Sequence, residues 1–243
     1  MKLVKKLAAK AADNTCVPAV TLAFLGDSVT QGCFELLPRA DAGFVNCHDR
    51  QHVYHTYLQQ ILSVLYPSVP VNIINAGVAG KDASHGLERL KRDVLDHKPD
   101  LTVVCFGLND CGAEENGISQ YTEALGGIFD RLEEAGSEII FMTPNMMATH
   151  VSPILTESVF LDIAKKIADR QARGVLDRYL DSAKALCRSR GIPVCDCYEK
   201  WKLLQASGVD TTELLSNKIN HPTRQMHWLF AYELVKTILE EKE

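Results

Sequence analysis

No apolar run in this chain of 243 residues approaches the ~20 needed to cross a bilayer, which argues against a membrane-spanning protein. A secretory leader is not expected either. Lys5, Lys6 and Lys10 interrupt the opening stretch, Met1 to Asn14, before an apolar core of useful length forms, and the stretch reads as a short basic amphipathic segment. Excess positive charge is also missing. The formal net charge of -5 argues against nucleic acid as a partner, because phosphate binding needs a basic face. The basic pairs that do occur, Lys5-Lys6, Lys91-Arg92 and Lys165-Lys166, sit at helical spacing and read as solvated faces. Cysteine occurs eight times, but without a framework. Cys195-Asp196-Cys197 lacks both metal spacing and a second Cys pair, and Cys105 lies inside an apolar strand-like run. Reduced thiols in a cytoplasmic protein are the expectation. Linkers, internal repeats and low-complexity stretches are absent, so residues 1–243 read as a single domain.

What is present is an ordinary globular composition, 46% hydrophobic and 23% charged. Short apolar runs alternate with longer helical patterns. Strands are expected at Val20 to Leu25, Val71 to Ile74, Leu101 to Phe106, Glu138 to Met142 and Gly191 to Cys195. Helices are expected at Tyr54 to Leu65, from a cap at Asp82 or Ser84 to about His97, at Ser119 to Ala135, at Leu161 to Arg190 and at Arg224 to Glu241. Cys33 to Val53 and Pro144 to Pro153 show no clear periodicity. Five strands alternating with helices imply a three-layer α/β/α fold of the flavodoxin-like type, in which right-handed crossovers make the strands parallel.

In such folds chemistry lies beyond the carboxyl ends of the strands. Three of the five loops there are rich in Gly, Ser, Asn and Asp. Ser28, in Gly26-Asp27-Ser28, follows a buried strand on a turn that Gly26 permits. A serine so placed offers a nucleophilic hydroxyl and one backbone donor for a developing oxyanion, or else merely caps the next helix. Gly80 is a backbone donor able to approach a substrate closely, or a turn glycine. Asn109 can set a carboxamide donor where charge develops, or form an Asx turn. Asp110 reads as a local structural acceptor.

Four blocks stand in order along the chain: Gly26-Asp27-Ser28, Asn75 to Gly80, Gly107-Leu108-Asn109-Asp110 and Asn220-His221-Pro222. In this it resembles the GDSL or SGNH hydrolases, from about Leu22 to Ala231. The resemblance implies an SGNH hydrolase fold, with Ser28 as nucleophile and His221 as base. The oxyanion hole would be formed by the Ser28 and Gly80 amides and the Asn109 side chain, and neither metal nor cofactor would be needed.

Seven other histidines compete with His221. His48, His52 and His55 cluster in the aperiodic segment but lack the carboxylates of a metal site. His85 and His97 fall at helical positions, His150 sits where it could touch substrate, and His227 lies within the last helix. His221 precedes Pro222, which biases it to an extended conformation ahead of a helix that Thr223 can cap.

One position departs from the family pattern. The usual Asp three residues before the base is Lys218, a cation that cannot accept from the imidazole. In serine proteases, spoiling the third member costs about 10⁴-fold in turnover. Three explanations compete. A backbone carbonyl or the Asn217 side-chain oxygen orients His221, leaving a Ser-His dyad; Asp196 or Asp210 reaches the ring; or catalysis is lost and binding kept. An Asn-x-Ile-Asn-His-Pro arrangement similar to Asn217 to Pro222 occurs among members of the resembled family, which favours the first.

The expected activity is that of a serine esterase acting through an acyl-enzyme. Because long apolar loops suggesting a lipid groove are absent, short acyl groups are expected, especially acetyl on carbohydrate. The alternatives are a catalytically impaired ligand-binding protein, a lysophospholipase or thioesterase, and a phosphate-binding flavodoxin-like domain. Residues 33–53 and 145–160 are expected to shape the pocket.

Overall fold

Leu101–Cys105 is buried at all five positions, and Val20–Gly26 at six of seven. That is the signature of strands covered on both faces. The computed structural model describes residues 1–41 and 43–240. Its elements run α1 (Lys2–Ala12), β1 (Val20–Gly26), α2 (Ser28–Gln31), β2 (Cys33–Pro38), β3 (Phe44–His48), α3 (Tyr54–Leu65), β4 (Val71–Gly77), α4 (Ala83–Asp93) and β5 (Leu101–Cys105). There follow α5 (Ile118–Glu134), β6 (Glu138–Met142), α6 (Ser158–Ala172), α7 (Val175–Arg190), β7 (Val194–Cys195), α8 (Cys197–Ala206) and α9 (His227–Glu240), with 3-10 turns at Leu95–His97 and Asp110–Gly117.

The main sheet has the order β4-β1-β5-β6-β7 and every pairing in it is parallel. The first crossover leaves β1 toward β4, whereas the next returns past β1 to β5. Right-handed crossovers in opposite directions put α3 and α4 on opposite faces. Accordingly α3 packs on α9, while α4 packs on α5 and α5 on α7. β1 is therefore the strand at which the winding reverses, and the crevice at its carboxyl end is where such sheets bind ligands. Gly26 is in register with both Gly77 and Cys105, so the loops after β1, β4 and β5 start at one level. Close approach explains Gly77, where a Cβ would run into the backbone of Thr30 and Gln31 in the α2 turn.

The expected α/β class and its five parallel strands are observed. Four readings need correction. Leu161 to Arg190 is two helices, broken where Gly174 takes a left-handed φ of 64°; apolar residues continue at helical spacing across the break and hide it. The fifth strand is only Val194–Cys195. Cys33 to Val53 is not irregular throughout, because β2 and β3 form an antiparallel hairpin. Its strands are short and largely half-exposed, so they carry no clean alternation. The last helix begins at His227 rather than Arg224, and Glu241 lies outside the described residues. Among the described residues no helix is long and apolar enough to cross a membrane.

Candidate active site

β1 ends at Gly26, and the chain turns at once into the single helical turn of α2. Asp27 caps it, its Oδ1 accepting from the Val29 amide at 2.9 Å. This places Ser28 at the helix start, buried but lining a cavity. Its Oγ lies 2.9 Å from His221 Nε2. On the other side of the ring, His221 Nδ1 is 2.9 Å from the main-chain carbonyl oxygen of Phe34, in β2. A carbonyl can only accept, so Nδ1 carries the proton and Nε2 is left free to accept from the Ser28 hydroxyl. The tautomer a general base needs is therefore fixed without a carboxylate.

The competing orienters do other work. Asn217 Oδ1 accepts from the amides of Ile219, Asn220 and His221 at 3.0, 2.9 and 3.0 Å, and so shapes the loop rather than holding the ring. Asp196 caps α8 and binds Thr143 and Lys184. Asp210 faces the Thr212 amide and His150. Lys218 has a left-handed φ of 56°, and its ammonium binds the carbonyl and carboxylate of Glu213.

Gly80 follows β4 with φ 71°, a conformation that side chains resist. A Cβ there would meet no protein atom within 4 Å, so the requirement for glycine is conformational. Among the described residues neither the Ser28 nor the Gly80 amide has a protein acceptor. Gln31 Oε1 accepts from the Ala79 amide at 2.8 Å and steadies this loop. Asn109, just past β5, does not form an Asx turn: its Nδ2 gives one hydrogen to Lys81 O at 3.0 Å and lies 3.5 Å from Asp27 Oδ2. Asp110 is structural as expected, accepting from the amides of Ala83 and Gly107.

Burial dominates the electrostatics. It pulls His221 down to about 4, against the opposing pull of the Phe34 carbonyl and the Glu35 carboxylate. It pushes Asp27 up to about 7 and Asp110 up to about 6. The imidazole therefore rests neutral at physiological pH, as a base must.

Ser28, Gly80, Asn109 and His221 line one cavity of about 330 Å³, whose walls are Leu36, Phe44, Ile163, Ile167 and Ile219 with Asn46 and Asn220. Residues 33–53 do shape it, through the hairpin. The opposite wall comes from α6 rather than from 145–160, although Phe160 backs Phe44 at 6.2 Å between ring centres. This lining is more apolar than the expectation of a small carbohydrate ester suggested.

The other histidines disperse. His55 is buried against Thr30 O, His52 pairs with Asp49, and His85 with Asp82. His227 is buried with its Nδ1 accepting from the Tyr54 amide. His150 is not among the cavity-lining residues. Of the two favoured orienters, a main-chain carbonyl and the Asn217 oxygen, the structure shows the carbonyl; that Phe34 supplies it, and that α6 walls the cavity, was not legible in the sequence. A main-chain acceptor leaves no side-chain signature, so only the missing Asp at Lys218 hinted at it.

The chain is similar to known esterases. An acetylxylan esterase of Geobacillus stearothermophilus is 29% identical over 132 residues, 51% of this chain and 58% of that protein. An arylesterase of Vibrio mimicus is 26% identical over 114 residues, 46% of this chain and 54% of that protein. The matched stretch thus spans a little over half the length of these relatives. The solved structure of an acetyl-xylooligosaccharide esterase from Geobacillus shares the fold, with TM-score 0.67 over 91% of this chain and 95% of that one at 20% identity. The model of the GDSL-like Lipase/Acylhydrolase family matches residues 24–229, a span that includes all four motif blocks, and the chain belongs to that family.

Proposed function

We propose that this chain is a serine esterase that removes short acyl groups, foremost acetyl, from hydroxylated substrates such as carbohydrate. The observation that carries the reading is the continuous line Ser28 Oγ, His221 Nε2, His221 Nδ1, Phe34 O, with both contacts at 2.9 Å. Ser28 attacks the acyl carbon while His221 takes its proton. The negative charge that develops on the acyl oxygen falls to the Ser28 and Gly80 amides and to Asn109 Nδ2, whose second hydrogen turns to it from the long 3.5 Å contact with Asp27 Oδ2. Collapse of the tetrahedral adduct expels the alcohol, which His221 protonates. Water, deprotonated by the same imidazole, then attacks the acyl-enzyme and releases the carboxylic acid. Asp27 and Asp110 remain structural.

The acetylxylan esterase relative supports the acetyl and carbohydrate parts of this reading. The arylesterase relative and the walls of Leu36, Phe44 and Ile163 support a second one, in which the leaving alcohol is an aryl group. Turnover of p-nitrophenyl acetate and of acetylated xylooligosaccharide, set beside Ser28→Ala, tests both. Loss of at least 10⁴-fold in kcat for the variant, with Ser28 labelled by a serine-directed phosphonate in the parent, is the expected outcome. Turnover unaffected by the substitution would exclude the mechanism, and turnover of the aryl ester alone would decide for the second substrate class.

A further inference from the structure

The acceptor that orients His221 belongs to the irregular part of a partly exposed hairpin. The pairing of β2 with β3 loses register between Cys33 and Leu36, so Phe34 and Glu35 lie in a bulge. Bulges re-aim backbone groups out of the ladder, and here one turns the Phe34 carbonyl to the imidazole. The same irregularity deprives the carbonyl of the regular ladder that would hold it in place. A carboxylate on the His loop would move with the base, but this acceptor is on another element.

One side chain ties the two elements together. Arg224, three residues after His221, reaches the hairpin from the base's own loop. Its Nη1 and Nη2 grip both oxygens of Glu35 at 2.6 and 3.2 Å, and its Nε donates to Asp49 Oδ2 at 2.8 Å. Its guanidinium carbon lies 4.3 Å from the centre of the Phe34 ring. Asp49 is itself anchored to the α2 turn, its amide donating to Gly32 O at 2.9 Å. A planar fork satisfies these partners together in a way that a point charge does not.

We propose that Arg224 is a positioning residue for the reaction: by clamping Glu35, Asp49 and the Phe34 ring it keeps the Phe34 carbonyl on His221 Nδ1, so that hairpin and guanidinium together replace the missing acid. This rests on the esterase reading above for its kinetic consequence, but not for its structural one. Charge alone predicts the reverse. Stripping the cation from Glu35 leaves that carboxylate unpaired beside the ring and favours the imidazolium.

The test uses the full chain with Arg224→Ala, Arg224→Lys and Glu35→Gln. The readouts are kcat and KM on p-nitrophenyl acetate, and the downfield proton resonance of His221 Nδ1. Misplacing a catalytic group by about 1 Å costs on the order of 10²-fold. Arg224→Ala is therefore expected to lower kcat by about that factor with KM within twofold, and to displace the Nδ1 resonance. Arg224→Lys, which keeps the charge but not the fork, should retain most of the loss, and Glu35→Gln should fall between that and the parent. Unchanged or raised kcat in Arg224→Ala overturns the proposal, as does lost activity with the resonance in place. Should Arg224→Ala fail to fold, the other two variants decide by the same readouts, and parental kcat in both overturns it. A parent protein with the Nδ1 resonance but no ester turnover would sink the esterase reading alone, leaving the clamp to be judged on the resonance.

Discussion

The two sides of the cavity are built differently. On one side Ser28, Gly80 and Asn109 follow the carboxyl ends of β1, β4 and β5, where the register of Gly26 with Gly77 and Cys105 aligns the ends of three strands of the main sheet. On the other, the Phe34 carbonyl and the side chains of Leu36 and Phe44 belong to a two-stranded hairpin outside the sheet, with Phe44 and Leu37 exposed. The proposed nucleophile and oxyanion donors are thus set by the same packing that makes the fold. The orientation of the base and the shape of the walls depend on an appendage that contributes little to the core. Substrate choice should therefore respond to substitutions on the hairpin side, whereas turnover responds to both.

The largest separable effect is expected on the core side. Asn109→Ala removes one donor and should lower kcat by about 10²–10³-fold, with KM for p-nitrophenyl acetate nearly unchanged, since the donor matters most when charge develops. Because Asn109 also donates to Lys81 O, the melting temperature should be followed alongside. A rise in KM with kcat preserved would mean that this amide binds the ground state, and the division between the two sides would lose its clearest member.

The contrast extends to how much of the site was legible in the sequence. β1 and β5, buried on both faces, are continuous apolar runs and could be read directly, and the edge strand β4 keeps enough Val and Ile to be read beside them, so the residues that follow all three could be placed at one edge. Asp110 was legible too, because an Asp after a strand has backbone donors close by. The hairpin was not, since half-exposed strands of five and six residues have no face committed to the core. Nor was the acceptor for His221, because any residue has a carbonyl. Lys218 announced that the usual acid was missing, and the sequence favoured a main-chain carbonyl or Asn217 over Asp196 or Asp210 without saying which residue supplies the carbonyl. The division of residues 161–190 at Gly174 failed for another reason: one glycine is tolerated within helices, and the apolar spacing on either side stays in phase.

Burial of the base sets the next effect. His221 is held down to about 4, below the ordinary 6.5, so it stays neutral as pH falls and gains its proton only near that value. The plot of kcat/KM against pH should therefore be level from 7 to about 5, and fall tenfold per unit below about 4, with circular dichroism checking that the fold survives. A limb near 6.5 would mean that the imidazole is solvated and the hairpin stands open in solution. Asp27, pushed up to about 7, is the other group titrating close by, and any limb that Asp27→Asn abolishes belongs to it.

A smaller change is expected from Phe44→Ala on the hairpin. It opens the cavity wall against Phe160 at little cost in stability, because Phe44 is 42% exposed. The ratio of kcat/KM for p-nitrophenyl butyrate to that for the acetate should rise severalfold, while turnover of the acetate stays within about threefold. An unchanged ratio would place the acyl group elsewhere and leave the hairpin with orientation as its sole task.

The smallest effect is the most instructive about the missing acid. Lys218→Asp restores the residue type usual at that position, and Asp tolerates the left-handed backbone found there. Even so, the new carboxylate is expected to bring no gain. The native side chain points to Glu213, so an Asp would lose that ion pair and face a like charge, and His221 Nδ1 already has its acceptor in Phe34 O. Activity within threefold of the parent is the expected result, with a slight loss of thermal stability from the contact with Glu213. A gain of tenfold or more would mean that the imidazole leaves the hairpin for its own loop. Orientation of the base would then no longer depend on the appendage, and substitutions at Arg224 should become silent in the Lys218→Asp background.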